Sequence, residues 1–151
     1  MIGKYKKFDK KLYDLYDESA KQAVCRYLAR HGHEVCIPDE DYGADLYHIR
    51  KDGVKVWHEV EISKVWWGSD GKPSAPHTSI PERKIKLVEE KDYPHLLHWL
   101  LNIERDRAIV CNMKVHMKDE YLVPFGNKYI AEGEYFYQIP LKLCKIVRLD
   151  K

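Results

Sequence analysis

Two glutamates one residue apart, Glu59 and Glu61, stand in a β-prone run of the chain, and an aspartate, Asp45, opens the β-prone run before it. Side chains of an extended strand alternate between faces, so Trp57, Glu59, Glu61 and Ser63 point one way while Val56, His58, Val60 and Ile62 point the other. If the two runs pair as a hairpin, Asp45 comes to lie beside Glu59 or Glu61. Three carboxylates so placed repel one another unless a cation sits between them, and clustered oxygens suit hard ions, Mg²⁺ or Mn²⁺. On the residues alone, the chemistry open to this trio is the holding of such an ion, a candidate metal site. The plainer alternative for Glu59 and Glu61 is the solvated side of an amphipathic strand.

Positioning these residues requires particular elements. Leu12, Tyr16, Ala20, Ala23, Val24, Tyr27 and Leu28 recur at three- and four-residue steps, which predicts an amphipathic helix over residues 10–30 stopped by Gly32. The same spacing groups Asp17 with Ala20, Lys21, Val24 and Leu28, nearer the inner face than Glu18. Strands are expected over residues 34–37, 44–50 and 55–63, the last two joined as a hairpin through Lys51-Asp52-Gly53. A loop is expected over residues 67–79. Pro81 suits a first helical turn, and Ile85, Leu87 and Val88 predict a second helix over residues 82–90. Its Arg83, Lys84 and Lys86 are either a phosphate-holding face or an ordinary solvated one. Residues 95–101 are read as a strand leading into another over 108–113, and residues 121–149 as irregular strands or a hairpin.

The chain has 151 residues, 44% hydrophobic and 33% charged, with four Trp, eleven Tyr and three Phe, enough apolar surface for one folded domain. Its 26 basic and 24 acidic side chains exclude a general polycation, so any nucleic-acid partner must meet locally concentrated charge. Cys25, Cys36, Cys111 and Cys144 form no C-x-x-C pair and read as free thiols. His31, His33, His48, His58, His95 and His98 define no compact zinc set, although His48 and His58 can meet across the hairpin. Trp66 and Trp67 are either base-stacking platforms or structural anchors, and Trp57 and Trp99 are read as anchors. No window resembles a membrane span, and an intracellular, soluble protein is expected.

At three places the chain resembles the PD-(D/E)XK, or restriction-endonuclease-like, nuclease superfamily, and in particular its small phage-type members. The resembling residues are Tyr42-Gly43-Ala44-Asp45-Leu46, then Trp57-His58-Glu59-Val60-Glu61-Ile62-Ser63-Lys64, then Ile80-Pro81-Glu82-Arg83-Lys84. The resemblance implies an α/β fold with an αβββαβ core over about residues 10–113, a mixed central sheet flanked by helices, and a C-terminal β extension over about 114–151, all one nuclease-like domain. It implies a Mg²⁺-dependent (or Mn²⁺-dependent) deoxyribonuclease in which Asp45 and a following glutamate hold metal while a lysine two residues beyond positions the attacking water. Two registers are open. With Glu59 as the motif glutamate, Glu61 occupies the lysine position; with Glu61, the reading preferred here, Ser63 does. Either way the lysine is missing from its place. Lys64 follows directly but on the opposite strand face, and Arg83 or Lys84 could supply the charge instead. Asp17 is a candidate for the additional helical acid of many such nucleases. DNA is the implied partner, held by Arg83, Lys84 and Lys86, and a homodimer would provide the two sites that cutting both strands calls for. A catalytically inactive relative that binds nucleic acid or protein is the alternative.

Overall fold

Helix α1 runs over Lys10–Arg30, as the periodicity predicts. The structure, a computed structural model, describes residues 10–38, 43–63, 70, 72–124 and 134–151, with α1 side chains described from Glu18 onward. Gly32 ends the helix in the left-handed region, at φ 85°. The amide of His33 donates to the Leu28 carbonyl and that of Gly32 to the Ala29 carbonyl, each at 3.0 Å, which is the double bond of a Schellman cap.

Three strands follow, β1 (Glu34–Cys36), β2 (Leu46–Ile49) and β3 (Lys55–Ile62). The β2–β3 hairpin turns through Gly53 at φ 84°, with Gly53 N–H on the Arg50 carbonyl and Arg50 N–H on the Val54 carbonyl, both 2.9 Å. A glycine in the left-handed region at this place is how a short hairpin loop matches strand twist.

Beyond the hairpin come β4 (His77–Pro81), a 3₁₀ turn (Glu82–Lys84), the short α2 (Ile85–Glu89), β5 (Leu96–Leu101) and β6 (Arg107–Asn112). The expected helix over 82–90 is thus divided, and Pro81 closes a strand rather than opening a helical turn. Its φ of −58° and ψ of 141° are extended, and a residue with no N–H is tolerated on a strand that has one neighbour only. The end of the expected loop over 67–79 is part of β4. The chain finishes with α3 (Met113–His116), a 3₁₀ turn (Asp119–Tyr121), β7 (Leu122–Pro124), β8 (Tyr135–Pro140), a 3₁₀ turn (Leu141–Leu143) and β9 (Lys145–Arg148).

The fold is α/β with a mixed sheet. Six strands lie in the order β1-β2-β3-β5-β6-β9, parallel between β3 and β5 and antiparallel elsewhere. A second, antiparallel sheet has the order β4-β8-β7. Residues after 113 therefore do more than extend a finished core: β9 is an edge of the main sheet, and β7 and β8 build the second.

Each face of the six-stranded sheet carries its own core. On one face Ala20, Ala23, Val24 and Leu28 of α1 pack against Leu46, Val60, Trp99, Leu101, Ala108 and Leu149. On the other, Leu96, Cys111 and Met113 meet Ile80, Leu87, Tyr137 and Ile139 of the second layer. Full burial of such aliphatic side chains contributes roughly 1.5–3 kcal/mol each.

Polar groups on the α1 face are satisfied in series. The Trp99 indole N–H donates to His58 Nδ1 at 2.9 Å, so neutral His58 keeps its proton on Nε2, which lies 2.8 Å from His48 Nδ1. Burial first, and then His48 and His33, push the His58 pKa down to about 3. The two histidines meet across the hairpin as the sequence suggests, and they are structural.

Candidate acid–lysine site on the central sheet

The alternation read from the sequence holds along β3. Trp57 packs toward the second core and Val60 toward α1. The β2–β3 register pairs Leu46 with His58, and the Asp45 amide donates to the His58 carbonyl at 3.0 Å. Asp45 therefore stands opposite Glu59, on the same face, with Glu61 one alternation further along. This pairing sets Glu59, rather than Glu61, directly across from Asp45.

Lys84, the last residue of the 3₁₀ turn after Pro81, inserts its ammonium between the two glutamates. Its Nζ lies 2.6 Å from Glu59 Oε2 and 3.2 Å from Glu61 Oε1. On the other side of Glu61, Oε2 is 3.3 Å from His98 Nε2. Asp45 is held from two directions: the Val60 amide donates to Oδ2 at 2.8 Å, and Lys21 Nζ of α1 is 3.2 Å from Oδ1. The Ala44 amide donates to the Tyr93 hydroxyl at 3.0 Å, and the Tyr93 ring stacks on Trp57 with centroids 4.4 Å apart, fixing the chain just before Asp45.

The cluster is shielded from water to unequal degrees. The Glu59 side chain is 5% exposed, Glu61 24% and Lys84 23%, while His98 is fully buried. Burial, and then a hydrogen bond with Asp45, push the Glu59 pKa up to about 8 against the opposing charge of Lys84. Burial also acts to raise that of Glu61, but the contact with His98 and the charge of Lys84 outweigh it and hold this carboxyl well below its ordinary value. For Lys84, burial is overcome by Glu61 and Glu59, and the ammonium is held firmly charged. Adjacent carboxylates thus have opposite proton affinities, which is the usual precondition for dividing acid and base roles.

Four residues proposed from the sequence therefore converge: Asp45, Glu59, Glu61 and Lys84. Two others do not. Arg83 projects to the surface, where it lies 3.3 Å from Glu134, and Lys86 is exposed on α2. Lys64, Trp66 and Trp67 lie outside the described residues, as does the side chain of Asp17, whose backbone belongs to α1.

Sequence reasoning passed over His98 and Lys21. His98 interrupts the apolar run Leu96-Leu97-His98-Trp99-Leu100-Leu101, and the parallel register sets it beside Glu59. A lone polar residue in a buried strand was the available signal, but the strand beside it is far away in sequence. Lys21 was already grouped with the inner face of α1; only the packing of α1 against β3 discloses that it reaches Asp45.

Among the described residues, no group of three or more His, Cys, Asp or Glu side chains is arranged as a metal-binding set. Asp45 and Glu59 nevertheless make contact as a carboxylate pair, which requires either a shared proton or a cation. Mg²⁺ is commonly bound by one or two carboxylates with waters and substrate phosphates completing its octahedron, and Asp45 and Glu59, now beside Lys21 and Lys84, are the residues that could hold it. No helix among the described residues is long and apolar enough to cross a membrane. Comparison with protein-family models and with curated protein sequences gives no match.

Proposed function

We propose that the chain is a metal-dependent nuclease of the PD-(D/E)XK kind, hydrolysing DNA phosphodiester bonds at the Asp45–Glu59–Lys84 cluster. The observation carrying this reading is the placement of a lysine ammonium 2.6 Å from a buried glutamate that stands opposite an aspartate just before the adjacent strand. The superfamily pattern asks for that trio, and here the lysine would come from the turn after Pro81 rather than from β3. Asp45 and Glu59 would hold Mg²⁺ or Mn²⁺, which when bound acidifies water and offsets negative charge on the phosphate. Lys84 positions the attacking water or a non-bridging oxygen; Glu61, paired with Lys84 and His98, keeps that ammonium aimed. Exposed Arg83 and Lys86 would hold neighbouring phosphates. A restriction-endonuclease-like core and a homodimer cutting both strands belong to the same reading.

A second reading has one specific observation in its favour. Lys84 and Lys21 already neutralise much of the acid cluster, as they would in a purely structural ion-pair network on a nuclease-derived fold that binds nucleic acid or protein without cutting.

Plasmid and single-stranded DNA incubated with the protein and Mg²⁺ or Mn²⁺ decide between the two. Cleavage that drops about 100-fold or more in Asp45→Ala, Glu59→Gln and Lys84→Ala supports the first reading. A folded wild-type protein that cuts neither substrate, or an Asp45→Ala variant as active as wild type, overturns it.

A further inference from the structure

Cys111 stands across from His98 in the β5–β6 register, but neither it nor Cys144 takes part in the acid–lysine contacts. Cys111 is the fifth residue of β6 and is fully buried; Cys144 immediately precedes β9 and is partly exposed. The β6–β9 register ends with Val110 opposite Lys145, so Cys111 and Cys144 are the next opposed positions. Cys144 keeps an extended backbone, φ −113° and ψ 172°, as continuation of the ladder requires. Both side chains pack into the same core, on the second-sheet face. Opposed residues of antiparallel strands lie about 4.5–5.5 Å apart at Cα, inside the roughly 4.4–6.8 Å that a disulfide spans.

We propose that Cys111 and Cys144 form a reversible disulfide, with Cys144 the thiol that a peroxide attacks and Cys111 the thiol that resolves it. The division follows from exposure and hydrogen bonding. Cys144 is the partner that an oxidant can reach; its thiol donates to the Pro140 carbonyl at 3.5 Å, a bond given up when the sulfur ionises. The Cys111 thiol hydrogen bonds to Cys144, which raises its own pKa and lowers that of Cys144, favouring thiolate at the reachable sulfur.

In the first step the Cys144 thiolate attacks one peroxide oxygen. An S–O bond forms, the O–O bond breaks, and the departing hydroxide takes a proton to become water. In the second, the Cys111 sulfur attacks the Cys144 sulfenic acid; an S–S bond forms, the S–O bond breaks, and the Cys111 proton leaves with the hydroxyl as a second water. Two thiols are oxidised and one peroxide is reduced, and a dithiol reductant reverses the change. The product is a covalent staple between the edge strand β9 and its neighbour.

The test is stoichiometric hydrogen peroxide added to the reduced full-length protein, followed by thiol counting, intact mass and peptide mapping. The expected result is loss of two of the four thiols, a mass lower by two hydrogens, a single linked peptide joining Cys111 to Cys144, and full recovery with dithiothreitol. Cys111→Ser or Cys111→Ala should stall at a dimedone-trappable sulfenic acid on Cys144, and Cys144→Ser should lower trapping about tenfold. Mapping of the wild-type protein stands alone should the Cys111 variants fail to fold. Overoxidation without a linked peptide, a linkage involving Cys25 or Cys36, or equal reactivity of all four thiols would overturn the proposal.

Discussion

Glu59 and Glu61 are chemically identical, share a strand face and lie on either side of one lysine, yet they hold protons oppositely. Glu59 is pushed up to about 8 from an ordinary 4.5 by burial and by Asp45, so the folded state binds its proton more tightly than the unfolded chain does. Its stabilising contribution is complete below pH 4.5 and is lost as pH rises toward about 8. Glu61, held low, contributes above its ordinary value and is lost on acidification, in the same direction as neutral His58. Glu59→Gln should therefore remove the decline in stability between about pH 4.5 and 8 while leaving the acid limb in place. Denaturant midpoints for both proteins across that range check this; parallel curves would refute it. The two glutamates and Asp45 were legible in the sequence because strand alternation has a fixed period. Lys84 was legible only as one of three basic residues, since a 3₁₀ turn running into a short helix changes the angular phase that would have separated it from Arg83 and Lys86.

Elements formed by neighbouring residues were readable: α1 has the predicted bounds, and the hairpin turns where Asp52-Gly53 suggested. β4 was not readable. It is short, ends in proline, and exists because β8, far along the chain, pairs with it through Thr78 opposite Ile139 and Ile80 opposite Tyr137. Local pattern carries no record of a partner that distant. The hairpin also shows how an element controls the site, for the loop register decides that Asp45 faces Glu59. Beyond its chain neighbours, Gly53 has no atom within 4 Å of where a Cβ would stand, so its requirement is one of backbone conformation. Gly53→Ala should cost about 1–2 kcal/mol, and Gly53→Asn less, as measured by chemical denaturation. A neutral Gly53→Ala would mean that the turn is not held in the left-handed region.

At the scale of the whole molecule, the expectation of a finished core with an extension beyond residue 113 understates how the chain is joined. Leu149 is buried in the α1 core, its amide donates to the Asp106 carbonyl at 2.8 Å, and its own carbonyl accepts from the Arg30 guanidinium. The last residues of the chain thus tie the end of α1 to the sheet edge. Leu149→Ala should destabilise the protein by about 2–5 kcal/mol, with a single cooperative transition retained. An effect under about 0.5 kcal/mol, typical of surface positions, would show the terminus to be dispensable.

The parallel pairing of β3 with β5 has a consequence in time. Asp45 and Glu59 meet within a tight hairpin, whose closure takes microseconds, whereas Lys84 and His98 arrive only after the crossover through β4 and α2 has been ordered. The acids therefore assemble before Lys84 and His98, with Lys21 of α1 the counter-charge that does not await the crossover. Refolding should quicken as these carboxylates are protonated, even where the folded protein is no more stable. Stopped-flow refolding and unfolding rates compared across mildly acidic pH would separate the two effects. The order of strands thus sets a kinetic toll on the cluster that the finished structure conceals.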